Sequence, residues 1–233
     1  MTKEIAQAPF IHVLALGLES AWRRLPYEQR CSDARAFIEA ERAAAEDGVS
    51  SVAYSSIGLE PGVDILFWRS GASVDALERA ASRVLRSGLG TYTSARHSFL
   101  AQLGSSQYVT KPSEQEQGLF SGARARYLVV YPFTKAADWY LLSREARQGV
   151  MNEHMRVGRG FPQVRQALGY SFGLDDQDFL VAYETDDLVA FGELVRALRA
   201  TESRRSTVRD TPLLLGVHRA LDEIIELLGG GPE

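Results

Sequence analysis

Two tandem βαββαβ units, an α+β architecture, are what this 233-residue sequence predicts, on three observations. Residues 54–85, YSSIGLEPGVDILFWRSGASVDALERAASRVL, lie over residues 170–201, YSFGLDDQDFLVAYETDDLVAFGELVRALRAT. Both runs carry Tyr-Ser, Gly-Leu, an acidic turn, an aromatic near the end of the second strand and an amphipathic helix, in one order. Each copy is preceded by a further strand and helix and followed by one more strand, which completes the ferredoxin-like order. The two sets are joined by a polar stretch rich in Gly, Ser and Gln. Two such units with their sheets facing one another would make a dimeric α+β barrel within one chain, with the helices outside.

The elements follow in chain order. FIHVLALGL, residues 10–18, reads as a strand, and a helix is expected over residues 32–46. In the first copy Ser73 is placed to cap a helix whose Val74, Leu77, Ala81, Val84 and Leu85 fall on one face. Residues 91–103 form the closing strand. Residues 1–104 make the first unit, and residues 105–123 a connecting loop of a length that points to a working role, such as lining a site. Residues 126–133 read as a strand and residues 143–159 as a long helix. Leu174-Asp175-Asp176-Gln177 supplies the turn of the second hairpin. Thr185 or Asp186 caps the next helix, with Leu188, Phe191, Leu194, Val195 and Leu198 facing inward. A strand over residues 206–217 and an amphipathic tail over residues 219–228, ended by Gly229-Gly230-Gly231, complete a second unit over residues 124–233.

Composition narrows the function classes. With 45% hydrophobic and 24% charged residues the chain is that of a soluble globular protein. A net charge of −4 and a pI of about 5.7 leave no basic field for nucleic acid or an anionic membrane. The N-terminal apolar run, about nine residues, is too short to span a bilayer and lacks a signal-peptide cleavage pattern. One cysteine, Cys31, excludes an internal disulfide and multi-cysteine metal sites, and fits a reducing cytoplasm.

Chemistry-bearing residues are few. The four histidines, His12, His97, His154 and His218, form no i, i+4 pair, and HExxH, CxxC, GxSxG, P-loop and GxGxxG motifs are all missing. His154 falls with Val150 and Val157 on the apolar stripe of its helix. Such an imidazole is either a packed residue with a satisfied hydrogen bond or an axial ligand of haem iron, a site that needs one protein donor. Tyr131 and Lys135, in YPFTK, are by themselves a strand-end aromatic and a solvated lysine.

Taken together, YLVVYPFTKAADWYLL, RQGVMNEHMRVGR, YSFGLDDQDFLVAYETDDL and RDTPLLLG, within residues 127–215, resemble the second half of the chlorite dismutase superfamily, in its coproheme decarboxylase branch. Residues 1–104 resemble it in architecture, with little motif identity. The resemblance implies the dimeric α+β barrel, and it makes His154 the proximal ligand of haem iron. Tyr131 matches the redox-active tyrosine beside a reactive propionate, and Lys135 the lysine four residues later, a partner for a carboxylate or a proton. Gln166 matches the distal position, arginine in chlorite dismutases and glutamine in many coproheme decarboxylases, so chlorite dismutation is the weaker reading. Tyr108 matches a tyrosine that hydrogen-bonds a propionate. Glu202 falls near a glutamate that orients the proximal histidine, Arg124 and Arg126 are candidates for binding propionates, and no distal histidine lies between His97 and His154. The implied reaction converts iron coproporphyrin III (coproheme) to haem b by hydrogen peroxide-dependent oxidative decarboxylation of two propionates through a tyrosine radical. A haem-binding peroxidase-like or sensing member without that activity, and a haem-free barrel, are the alternatives. Relatives of this kind form homo-oligomeric rings, often pentamers.

Overall fold

The computed structural model describes residues 10–104, 108 and 123–231. The chain divides into two compact units, Met1–Gln102 with Gly216–Glu233, and Leu103–Leu215. Apart from Tyr108 and Ala123, the expected connecting loop over residues 105–123 lies outside the described residues. Among the described residues no helix is long and apolar enough to cross a membrane.

The first unit runs β1 (Phe10–Leu18), α1 (Tyr27–Arg42), β2 (Ser50–Glu60), β3 (Val63–Gly71), α2 (Val74–Leu85) and β4 (Thr93–Leu103). Its antiparallel sheet has the order β4-β1-β3-β2, in the register Leu14↔Phe67 and Leu14↔Ser98. Alternation puts Leu14, Leu16, Leu18, Ile65 and Phe67 on one face, where they bury against Ala34, Phe37 and Ala40 of α1. Helix α1 starts at Tyr27, earlier than expected, because Pro26 pre-sets the entry dihedral without forfeiting a needed N–H. It continues as a 3-10 turn, Ala43–Asp47, that ends on Gly48 at φ 74°. Ser73 caps α2 as expected, its Oγ accepting from Ala76 N at 3.2 Å. Val74, expected inward, is 39% exposed: as the first helical residue it stands on the rim, and Ala76, Leu77, Ala80 and Val84 form the buried face. Strand β4 begins two residues late because residues 88–92 form a 3-10 turn in which Gly90 presses on the end of α2. A Cβ there would lie 1.8 Å from Val84 O.

The second unit runs β5 (Tyr127–Lys135), α3 (Ala137–Leu141), α4 (Arg144–Gly158), β6 (Arg165–Tyr170), β7 (Phe179–Thr185), α5 (Leu188–Arg199) and β8 (Thr207–Arg209). Its antiparallel sheet has the order β6-β7-β5-β8, the first unit's order with each strand replaced by its counterpart. Ser143 Oγ caps α4 by accepting from Ala146 N at 3.2 Å. The α5 cap is Asp187 rather than Thr185 or Asp186: its Oδ1 accepts from Val189 N and Ala190 N at 2.9 and 3.0 Å. Thr185 is still the last residue of β7, and Asp186 Oδ1 is taken by Arg126 N at 2.7 Å. The strand expected over residues 206–217 is broken into β8 and β9 (Leu214–His218) around the cis Thr211-Pro212 bond, since Pro212 has no N–H for a ladder.

The tail departs from its expected assignment to residues 124–233. Its last strand residues pair with β2, Tyr54↔His218 and Ser55↔Val217, and α6 (Leu221–Leu228) gives Ile224, Ile225 and Leu228 to the cluster of Trp22 and Phe37. Each of these aliphatic side chains, buried to 4% or less, contributes about 1.5–3 kcal/mol of apolar burial there.

Candidate functional site

Strand alternation builds one wall of the site. In the second unit Val129 pairs with Tyr183 and Tyr183 with Gln166; the next row on that face is Tyr131, Val181 and Leu168, then Phe133, Phe179 and Tyr170. Phe191 and Leu194 of α5 pack on these rows together with Phe161, Val164 and Leu215. Tyr131 and Gln166 therefore share a face, and both are half-buried. The Tyr131 and Tyr183 rings stack at 6.1 Å, and their hydroxyls hydrogen-bond each other. Burial raises the Tyr131 phenol above its ordinary value, while the bond from Tyr183 and the charges of Arg199 and Arg204 draw it down and Asp210 pushes it up.

Lys135 ends β5 and is buried. Its Nζ donates to Ser203 O at 3.0 Å, and to Ser203 Oγ and Thr207 Oγ1 at 3.2 Å each, and lies 4.8 Å from the centre of the Trp139 ring. All three ammonium protons thus have acceptors within the unit. Burial, followed by the charge of Arg204, lowers Lys135 to about 8. Trp139, itself buried, supplies a π face to this cation.

His154 is carried by α4 and is half-buried. Burial first, then the neighbouring Lys135 charge, pushes its pKa down to about 4, with Glu153 opposing. The ring is therefore neutral at physiological pH, and its buried Nδ1 has no hydrogen-bond partner among the described residues. An uncommitted neutral imidazole is the donor that a porphyrin-held iron takes. Among the described residues no group of three or more His, Cys, Asp or Glu could hold a metal ion; the unpartnered Nδ1 of His154 fits a haem, which needs one protein donor.

The inward stripe expected on α4 is only half realised. None of the α4 residues is fully buried, whereas its counterpart α1 buries Cys31, Asp33, Ala34, Phe37, Ala40 and Glu41. Tyr108 comes to the same helix: its carbonyl accepts from Gln148 Nε2 at 3.3 Å, and Arg147 is close enough to draw its phenol down against the larger effect of burial.

Three sequence-derived roles meet other geometry. Glu202 is 54% exposed and pairs with Arg205 at 3.2 Å, and its backbone N–H reaches α4, donating to Glu153 Oε2 at 3.0 Å. Arg124 Nε and Arg165 Nη2 both hold the fully buried Glu184, each at 2.8 Å, and register puts Glu184 on the sheet face opposite Tyr131. The Arg126 guanidinium stacks on Tyr127 at 5.3 Å. The cations that do act on Tyr131 are Arg199 and Arg204, the latter paired with Asp210 at 2.7 Å. Sequence reasoning missed both, along with Tyr183 and Ser203. Tyr183 could have been found, since period-two alternation from the hairpin puts it on the Gln166 face.

The family model described as "Chlorite dismutase" matches residues 27–219. A coproheme decarboxylase of Mycolicibacterium smegmatis is 30% identical over 180 residues, 75% of each chain, and a chlorite dismutase of Ideonella dechloratans 29% identical over 150 residues, 61% of this chain and 53% of that one. Among solved structures, a mutant chlorite dismutase from Candidatus Nitrospira defluvii superposes with a TM-score of 0.87 at 27% identity, covering 95% of both chains. The chlorite dismutase of that organism in complex with imidazole gives 0.86 at the same identity and coverage. With a family model matched over most of its length, the chain belongs to the chlorite dismutase family.

Proposed function

We propose that this protein is a coproheme decarboxylase that converts iron coproporphyrin III to haem b at the expense of hydrogen peroxide. The observation that carries the reading is the contrast between equivalent helices: α1 fills the space over its sheet with buried side chains, and α4 does not. Helix α4 carries a neutral His154 with half-buried Val150 and Val157, and His154 lies in the field of Lys135, the last residue of the strand that bears Tyr131, a lining suited to a flat apolar macrocycle with one axial donor. Similarity to the coproheme decarboxylase of M. smegmatis supports the same choice.

The bound iron porphyrin, substrate as well as cofactor, supplies the two-electron oxidising chemistry with peroxide. Each turnover consumes one peroxide per propionate and yields a vinyl group, one carbon dioxide and two waters. His154 holds the iron. Tyr131 is the phenol that passes an electron and a proton inward and then takes hydrogen from the propionate β-carbon. Arg199 and Arg204 supply positive charge near that phenol, where a carboxylate has to be held. Lys135 has its protons committed to Ser203 and Thr207, so its charge acts on His154 by keeping the imidazole neutral. Gln166 offers a hydrogen-bonding amide without charge on the distal face, which disfavours the steering of chlorite. Tyr108 contributes a hydroxyl for a propionate. The reading includes a cytoplasmic homo-oligomer, with a pentamer as the ring expected. The exposed Leu141 and Phe172, at 83% and 51%, are apolar surface of the kind an interface covers.

Mass spectrometry of the porphyrin tests the reading, as peroxide is titrated into coproheme-loaded protein. Stepwise loss of the mass of one carbon dioxide and two hydrogens, twice per porphyrin, is expected. Tyr131→Phe should retain coproheme and leave its mass unchanged. Tight haem b binding with no mass loss in the unmodified protein would instead identify a peroxidase-like or sensing member. An unmoved Soret band on adding coproheme, with His154→Ala behaving identically, would identify a haem-free protein.

A further inference from the structure

Tyr183 is absorbed by neither the sequence reading nor the roles above. It is only 5% exposed, on β7 between Val129 and Gln166, with the Phe191 ring 5.2 Å away. Its hydroxyl has one hydrogen-bond partner among the described residues, the hydroxyl of Tyr131. Each phenol has a single proton. A fully buried O–H left without an acceptor costs more than a partly exposed one, because the partly exposed group can find water or ligand. Tyr183 therefore donates and Tyr131 Oη accepts, which leaves the Tyr131 proton to point out of the pair.

We propose that Tyr183 is a positioning residue for Tyr131, fixing its ring and turning its O–H away from the pair, to where a substrate carboxylate would lie. The inference rests on the decarboxylase reading for what Tyr131 does, but the tyrosine pair itself is independent of it. Stacking holds the two rings parallel within 28°, so the bond fixes the phenol from one side only. Gln166, in the next strand of the same row, completes the polar frame.

Tyr183→Phe removes one oxygen and conserves volume, so the core stays filled. Two measurements test it. In protein without porphyrin, labelled at tyrosine Cζ and with the Tyr131 signal assigned from Tyr131→Phe, deprotonation is followed by NMR upward from neutral pH. The Tyr131 transition should move to higher pH by roughly one unit when the donor is removed. In coproheme-loaded protein the maximal rate of mass loss with peroxide should fall on the order of tenfold, with coproheme affinity unchanged. Both effects together support the proposal. An unmoved Tyr131 transition overturns it, and so does a moved transition with the rate intact. Failure of the unsubstituted protein to release any carbon dioxide would instead overturn the decarboxylase reading, while the NMR comparison would still decide the pair.

Discussion

Acid should destabilise the porphyrin-free protein through His154 by an amount the structure sets. Burial and the Lys135 charge hold its native pKa at about 4, against an ordinary 6.5 that the unfolded chain recovers. Above pH 6.5 both states carry a neutral ring and the residue adds no pH dependence. Below that the unfolded state binds a proton that the native state refuses, so stability is lost as pH falls and the loss is complete near pH 4. The difference of about 2.5 units, at 1.36 kcal/mol each, is about 3 kcal/mol. Urea unfolding at a series of pH values measures it, with His154→Leu as the reference that cannot titrate. Carboxylates titrate in both proteins and cancel in the difference. The unsubstituted protein should lose about 3 kcal/mol relative to His154→Leu between pH 7 and pH 4. Parallel stability curves for the two proteins would refute the buried neutral imidazole, and with it the reason for assigning His154 an uncommitted ring nitrogen.

Other outcomes follow from the same geometry. Lys135→Met should raise the His154 titration midpoint in an NMR experiment but leave it below 6.5, because burial is the larger cause of the depression; a midpoint at or above 6.5 would contradict that order. Glu184→Gln should lower stability by about 3 kcal/mol, the low end for a broken buried pair because Arg124 and Arg165 keep some solvent access. In a chain of this size that is a fall in Tm of roughly 6–12 °C by calorimetry, and a shift under 2 °C would show the pairs to be idle. Ser73→Ala and Asp187→Ala should each cost about 1 kcal/mol in urea unfolding, whereas Asp186→Ala, which removes no cap of α5, should cost less.

Element order was legible because it rests on local signals. The duplicated Tyr-Ser and Gly-Leu motifs, the acidic turns and the period of the helices all act within a few residues, and the strand orders of both units agree with them. Boundaries slipped where a single backbone group decides. Thr185 looks like a cap but is spent finishing β7, and Pro212 ends a ladder that hydropathy alone would continue. Tyr131, His154 and Gln166 were proposed through motif resemblance, and register then puts Tyr131 and Gln166 on one sheet face. What Lys135 touches was not legible. Ser203 is 68 residues away in sequence, in a 3-10 turn whose run of arginines reads as solvated charge. The same turn carries Arg204, whose field reaches both Tyr131 and Lys135.

The proposed reading puts the chemistry in one unit although both share a topology, and the two units also differ in how they bury charge. Next after the aromatic of each second hairpin strand stand Arg69 and Glu184, both fully buried and of opposite charge, Arg69 on the face that α1 covers and Glu184 on the face opposite Tyr131. Arg69 takes its counter-charge from Glu41 on α1, with Ser51 beside it. That ion pair draws α1 onto its sheet, and Phe37 and Cys31 close the space beneath it. Glu184 takes counter-charges from Arg124 and Arg165, on the sheet and its approach. Helix α4 meets α5 and the 3-10 turn at residues 202–206, and none of its residues is fully buried. Substituting Glu41 should therefore loosen a packed core, while substituting residues on α4 should change ligand affinity at little cost in stability. Hydrogen exchange across the two helices separates these outcomes: α1 amides should be protected near the global limit and α4 amides well below it. Equal protection in both helices, without porphyrin, would mean that α4 is packed as tightly as α1 and that the space over Tyr131 is not available to a macrocycle.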